Sequence, residues 1–163
     1  MRNSQDDLTI PEMAIVVSGA EELRALAGCE LGHSDWLEIT QDRVDQFAAA
    51  TADRQWIHVD PRRAAAGRYR GPIAHGHLIL SLTSYLLGQV LDIRGFSMTV
   101  NYGCDRVRFL SPVPVGARLR AGATIRTADE FLGGVRLSVT MVFTIQGRAA
   151  PVCVARVILH AYR

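Results

Sequence analysis

The sequence predicts an α+β domain in which a curled, mostly antiparallel sheet is wrapped around one long buried helix. Residues 77–91 carry apolar side chains on nearly every side, and a helix without a polar face is normally buried. After Gly95, apolar and polar residues alternate, which is typical of strands that turn one face inward. A sheet that curls around the helix buries both sets of apolar residues at once.

Length and composition indicate one globular domain. The chain has 163 residues, and we expect a single domain over residues 1–163 with an N-terminal arm at residues 1–19. Hydrophobic residues make up 48% of the chain, which excludes an intrinsically disordered protein. The net charge is only +2, which argues against a nucleic-acid-binding protein.

Cysteine usage and the N-terminus indicate the compartment. Cys29, Cys104 and Cys153 are widely spaced and form no Cys-x-x-Cys pair, so we expect neither a disulfide framework nor a zinc ribbon. The polar first residues do not have the pattern of a signal peptide. No apolar run reaches the roughly 18 residues that a membrane helix requires. We therefore expect a cytoplasmic protein that does not enter a membrane.

The first third of the chain predicts short elements. Residues 21–27 fit a short helix, and residues 36–39 fit a short extended piece. Thr40 is a typical N-cap, and apolar residues at helical spacing follow it, so we place a helix at about residues 41–51. A loop follows from residue 52 to 76, in which Asp60-Pro61 can open a short helix through Ala66.

Four strands are predicted in the second half. Gly133-Gly134 falls between two alternating runs and predicts a hairpin turn. The edges of such a sheet stay open unless they pair with a second copy, so we expect a homodimer. The four predicted strands cover residues 97–108, 118–126, 135–145 and 152–159.

Reactive groups concentrate between residues 53 and 77. Asp53 and His58 could jointly hold a water molecule, and an imidazole can take or give a proton near neutral pH. Gly76 stands at a predicted helix start, where a ligand oxygen can approach the free N–H groups. On these residues alone, an alternative stays open: Asp53 as a turn or cap residue and His58 as an ordinary loop side chain.

Motifs in this segment resemble a known family. Asp53, four intervening residues and His58, followed by the block Pro72-Ile73-Ala74-His75-Gly76, resemble the MaoC-like dehydratases, the (R)-specific enoyl-CoA hydratases of the hot-dog fold. The resemblance covers about residues 26–160. The segments at residues 55–60, 101–103 and 107–116 are most similar to the nodulation-protein-N-like branch, which includes single-domain 3-hydroxyacyl-thioester dehydratases.

The resemblance implies an activity and a set of site residues. It implies a lyase of fatty acid metabolism that reversibly hydrates 2-enoyl thioesters to (R)-3-hydroxyacyl thioesters. Asp53 and His58 would be the catalytic pair, and the backbone N–H of Gly76 would bind the thioester oxygen. Gln55 would contact the water or the substrate. Supporting positions would be Ser84, which would hydrogen-bond the catalytic aspartate, and His75, which would hold the loop.

Partners and competing functions follow from the same resemblance. The substrate would be an acyl-CoA or an acyl-carrier-protein thioester, and Arg106 or Arg108 could meet coenzyme A phosphates, although a solvated strand face is the alternative for either. We expect no metal, because His75 and His77 diverge at a helix start and no Cys or second acid lies at ligand spacing. We expect no other cofactor, because the implied hydration requires none. Two alternatives remain: a hot-dog acyl-CoA thioesterase and a non-catalytic acyl-CoA-binding protein.

Overall fold

One antiparallel sheet organises the fold in this computed structural model, which describes residues 14–163. Most of the predicted arm, residues 1–13, lies outside the described residues. In chain order the elements are β1 (Ile15–Ser18), α1 (Ala20–Ala25), β2 (Glu30–His33), β3 (Leu37–Glu38), α2 (Gln41–Thr51), α3 (Trp56–Val59), α4 (Pro61–Ala65), α5 (Gly76–Ser81), α6 (Thr83–Gly88), β4 (Leu91–Arg94), β5 (Met98–Phe109), β6 (Arg118–Phe131), β7 (Gly134–Ile145) and β8 (Cys153–Tyr162).

The four predicted strands are confirmed as β5 to β8. The sheet runs in the order β2-β6-β7-β8-β5, with every pairing antiparallel, and β3 pairs with β6 beside this path. The predicted hairpin joins β6 to β7 through Leu132 and Gly133, and Gly133 takes a φ of 104°, which favours glycine. The inward-facing residues of β6 and β7, such as Leu119 and Val139, have no exposed surface and form the core.

The helix predicted over residues 77–91 is confirmed as the central helical segment of the fold, with two differences in detail. The helical segment is divided into α5 and α6 at Leu82, and it ends at Gly88. The hydroxyl of Thr83 donates to the carbonyl of Leu80 at 2.6 Å beside this break. Such bonds from a hydroxyl to the preceding turn compete with the helical backbone pattern and often bend helices. Leu91 starts β4, because it pairs with Ile15 of β1 in a parallel two-stranded sheet.

The helices are buried on the side that faces the sheet. Leu78 and Leu86 are buried, whereas Ser84 is exposed and Tyr85 keeps 45% of its surface exposed. The sheet of one chain therefore covers only part of the helical surface. The expectation of a helix buried on every side is corrected accordingly.

Two shorter helices, α2 and α4, begin where their capping residues predicted. Thr40 caps α2, since its side-chain oxygen accepts from the N–H of Arg43 at 3.2 Å. Asp60 caps α4 in the same way through the N–H of Arg63, with Pro61 at the first helical position. These two helices are confirmed. None of the helices within residues 14–163 combines the length and the apolar character needed to cross a membrane.

Candidate active site

The loop that follows α2 positions Asp53. Helix α2 ends at Thr51, and its C-cap, Ala52, takes a left-handed φ of 61° and redirects the chain. Asp53 comes next and is exposed. Three residues later the one-turn helix α3 begins at Trp56, and its backbone carries His58, whose N–H donates to the carbonyl of Gln55 at 2.9 Å. The turn of α3 brings His58 back toward Asp53.

His58 is buried with a defined tautomer. Only 6% of its surface is exposed, and its Nδ1 lies 2.7 Å from the carbonyl oxygen of Ile73. A carbonyl can only accept a hydrogen bond, so Nδ1 carries the proton. In the neutral ring this leaves the lone pair on Nε2, which is the form that can accept a proton from a water molecule.

His75 connects the parts of the site. Its ring stacks on that of His58 with centroids 3.7 Å apart and an interplanar angle of 24°. Its Nε2 donates to the backbone carbonyl of Asp53 at 3.0 Å, which holds the aspartate loop against the buried ring. Phe47 of α2 packs on the same ring at 5.0 Å. Three contacts therefore fix His75, which is only 3% exposed.

The three side chains form a tight cluster of possible ligand atoms. One atom each from Asp53, His58 and His75 lie within 4.8 Å of one another. Imidazole lone pairs lie in the ring plane, and the rings of His58 and His75 are stacked. The two lone pairs therefore lie in nearly parallel planes stacked one above the other, and in this arrangement one ion cannot lie in both ring planes. A shared water molecule needs less strict geometry.

The electrostatic environment favours neutral His58. Burial is the largest influence and lowers the pKa of His58 below its ordinary value of 6.5. The hydrogen bond to the Ile73 carbonyl opposes this shift, His75 adds to it, and the Asp53 carboxylate opposes it. The ring is therefore available as a base at neutral pH.

Gly76 lies at the first position of α5, where backbone N–H groups have no acceptor inside the helix. A Cβ at Gly76 would lie 3.0 Å from the ring of Phe109, so the absence of a side chain allows this contact. His58 and Gly76 face the same cleft, which has a volume of about 300 Å³. The other residues that line it are Tyr69, Ile73, Ala74, Ile79, Phe109, Leu110, Ser111, Pro112, Val113, Val152 and Cys153.

The structure does not bring Ser84 to this site. Its hydroxyl accepts from Asn101 at 2.8 Å and lines a different cavity, between α6 and β5. Ser84 is eight residues beyond Gly76, which places it roughly 12 Å further along the helical axis. Within one chain, Ser84 therefore does not hydrogen-bond Asp53. Gln55 is exposed, and its N–H faces the Asp53 carboxylate at 3.4 Å.

The two arginines of β5 do not line the cleft. Phe109 pairs with Cys153, and both line the cleft. Arg108 pairs with Val154, so its side chain starts on the opposite face of the strand. Arg106 lies in a bulge with a φ of 53° and is exposed. Neither arginine is among the residues that line the cleft.

Two residues of the site, Ile73 and Phe109, could not be predicted from the sequence pattern. Ile73 contributes through its backbone carbonyl, which any residue carries, so only its place before His75 in the motif could have suggested it. Phe109 closes the cleft above Gly76, although the two residues are 33 positions apart. Their contact depends on the packing of β5 against α5, which the alternation pattern does not define.

Comparison with known proteins assigns the chain to a family. The family model described as the MaoC like domain matches residues 23–138. The chain is 45% identical over 140 residues to 3-hydroxyacyl-thioester dehydratase Z of Mycobacterium tuberculosis, covering 85% of this chain and 93% of that protein. It is 45% identical over 121 residues to nodulation protein N of Rhizobium leguminosarum, covering 73% and 74%.

A further relative supports the family, and a solved structure supports the fold. The chain is 36% identical over 107 residues to the (R)-specific enoyl-CoA hydratase of Aeromonas caviae, covering 66% of this chain and 76% of the relative. The crystal structure of a monoamine oxidase regulatory protein from Archaeoglobus fulgidus matches with a TM-score of 0.77 at 24% identity, covering 93% and 98%. The predicted hot-dog fold and family resemblance are confirmed: the chain belongs to the family of MaoC-like domains.

Proposed function

We propose that this protein reversibly hydrates 2-enoyl thioesters to (R)-3-hydroxyacyl thioesters. The observation that carries the proposal is that His58, whose Nε2 is free of a proton, lies with a ring nitrogen within 4.8 Å of the Asp53 carboxylate and shares its cleft with Gly76. The names of the relatives from Mycobacterium tuberculosis and Aeromonas caviae support the same reaction class.

The proposed reaction adds one water molecule across the double bond. Nε2 of His58 accepts a proton from the water, and the water oxygen attacks the β-carbon of the substrate. The electron pair of the double bond moves toward the thioester oxygen, which gives an enolate. A proton then returns to the α-carbon from the Asp53 and His58 pair. A positioned acid or base of this kind contributes roughly 10²–10⁴ in rate.

Gly76 stabilises the charge that develops in this step. Its N–H belongs to the free first turn of α5, and His58 shares the cleft with it. A donor aimed at a developing oxyanion is worth roughly 10²–10³ in rate. The reaction changes no oxidation state, and these three groups supply each part of it, so we propose that it needs neither a metal nor a redox cofactor.

His75 acts through its neighbours in this scheme. It donates to the Asp53 backbone, stacks on His58 and is joined by a peptide bond to Gly76. A shift of His75 would therefore move all three reacting groups together. We propose it as a positioning residue rather than a catalytic one.

The carrier of the substrate and the assembly are part of the proposal. The thioester would be carried by coenzyme A or by an acyl-carrier protein, and the protein would work in the cytoplasm. We also propose a homodimer, because the twelve-residue strand β5 forms one edge of the sheet. Met98 and Tyr102 on this edge are 56% and 62% exposed, which is unusual for large apolar side chains on a strand.

Substitution of the catalytic pair tests the function. Crotonyl-CoA and a longer 2-enoyl-CoA should lose their ultraviolet enoyl absorbance when the protein is added. Asp53→Asn and His58→Ala should each reduce this rate by about 10²–10⁴, because each removes a proton-transfer group. Far-ultraviolet circular dichroism of each variant checks that the fold is retained.

The matched control is Asp129→Asn, since Asp129 is exposed on β6 away from the cleft. This variant should keep the rate of the parent protein. Full activity of Asp53→Asn would refute the assigned role. Release of free thiol with the enoyl absorbance unchanged would identify a thioesterase instead, and tight binding without turnover at any chain length would identify a non-catalytic acyl-CoA-binding protein.

Titration of His58 by NMR tests its electrostatic environment. The His58 imidazole should titrate below 6.5, so that activity persists at neutral pH and is lost as the pH falls through this lowered pKa. Asp53→Asn should lower the pKa further, because the carboxylate favours the protonated ring. A pKa at or above 6.5, or a rise in Asp53→Asn, would contradict the arrangement described here.

Sedimentation equilibrium tests the homodimer. The measured mass should be twice the 17.9 kDa of one chain. Replacement of Tyr102 by Arg on the exposed edge should shift the equilibrium toward the monomer, whereas Leu132→Arg at the exposed β6–β7 turn should leave it unchanged. A monomeric mass for the parent protein at micromolar concentration would overturn this part of the proposal.

A further inference from the structure

We propose that the turn at residues 67–70 binds the phosphate groups of coenzyme A through Arg68 and Arg70. The inference rests on the proposed function, because it names the carrier whose thioester enters the cleft. It assigns phosphate recognition to a different part of the chain from Arg106 and Arg108, which the sequence suggested.

Positive charge is concentrated on the segment that builds one wall of the site. Residues 52–76 contain five arginines and two aspartates, although the whole chain has a net charge of only +2. Asp60 is engaged as the cap of α4, and Asp53 belongs to the reacting cluster. All five arginines are exposed, so their field extends into solvent beside the cleft and attracts a polyanion. These arginines are Arg54, Arg62, Arg63, Arg68 and Arg70.

The turn is held in place by backbone and packing contacts. The N–H of Arg70 donates to the carbonyl of Gly67 at 3.1 Å, which closes the turn. Gly67 packs so closely on Trp56 that a Cβ there would lie 2.9 Å from the indole ring. The two arginines are therefore carried on a defined turn.

Tyr69 places this turn at the entrance to the cleft. It lies between the two arginines in sequence, lines the cleft and is 42% exposed. Phe109 and Leu110 also line the cleft and are 45% and 54% exposed, so these three residues mark its mouth. In coenzyme A the pantetheine arm separates the thioester from the phosphates. With the thioester beside His58, the phosphates belong outside this mouth.

The guanidinium groups are available for a ligand. Within residues 14–163 the side chains of Arg68 and Arg70 form neither ion pairs nor hydrogen bonds, whereas Arg63 in the same segment lies over the Trp56 ring at 4.6 Å. A guanidinium offers a planar fork of donors that fits phosphate oxygens in pairs. Two such forks on a four-residue turn suit the compact phosphates of a nucleotide better than the broad surface of a carrier protein.

The double variant Arg68→Ala/Arg70→Ala tests the inference with two substrates. Its KM for crotonyl-CoA should rise about tenfold while kcat stays the same, because exposed phosphate contacts are lost and the reacting groups are untouched. Its KM for crotonyl-pantetheine, which lacks the nucleotide phosphates, should not change. Raising the salt concentration should reduce the difference between parent and variant toward coenzyme A substrates, since exposed charges are screened.

The matched control is Arg118→Ala/Arg126→Ala, which removes the same charge from exposed positions on β6. This control should leave both KM values unchanged. An unchanged KM for crotonyl-CoA in the Arg68/Arg70 variant would overturn the inference, and so would an equal rise for both substrates. An effect confined to substrates carried by an acyl-carrier protein would overturn it in favour of protein docking.

Calorimetric binding of coenzyme A itself separates this inference from the proposed function. The parent protein should bind coenzyme A about tenfold more tightly than the Arg68/Arg70 variant, whether or not any thioester is hydrated. If the parent protein hydrates no thioester but this difference is found, the proposed function fails and the phosphate site stands. Equal affinities would refute the phosphate site even in an active enzyme.

Discussion

The hydrogen bond from Nδ1 of His58 to the carbonyl of Ile73 is the interaction on which the rest of the site depends. At 2.7 Å and buried, it determines which ring nitrogen carries the proton. It also joins the one-turn helix α3 to the segment that leads into α5. The same contact therefore defines the chemistry of the imidazole and the distance between it and the amide of Gly76.

Around this hydrogen bond, local structure positions the reacting side chains, and long-range packing forms the rest of the cleft. The turn of α3 presents His58, and His75 fastens the Asp53 loop to it. The sheet supplies the remaining wall, since Phe109 and Cys153 are neighbours across β5 and β8. Water can reach the exposed carboxylate of Asp53 while His58 stays largely desolvated. Burial lowers the pKa of His58, so the imidazole is neutral at neutral pH.

The sequence predicted the parts of the fold that have long patterns. Apolar and polar residues alternate along most of β6 and β7, so these strands and their turn could be identified. Thr40 marked the start of α2. The pair β1 and β4 and the helix α3 have only four residues each, which is too short for a period to appear. The break at Leu82 was missed because it involves side-chain hydroxyls that bond within the helical segment.

Site residues close together in the chain were easier to predict than those that depend on register. Asp53, His58, His75 and Gly76 lie in one motif, and the structure brings all four to one place, although their roles remain a proposal. Ser84 and Arg108 depend on helical phase and on strand register. Two irregularities in β5 shift that register, and a shift of one residue moves each side chain to the other face.

The most direct test of the central claim is the stereochemistry of hydration in deuterium oxide. If one water molecule between Asp53 and His58 supplies both groups, the hydroxyl and the deuterium must arrive on the same face of crotonyl-CoA. Proton NMR of the 2-deuterio-3-hydroxybutyryl product should then show a single syn diastereomer with the (R) configuration at C3. An anti product, or a mixture of both diastereomers formed before any exchange at the α-carbon, would contradict this account.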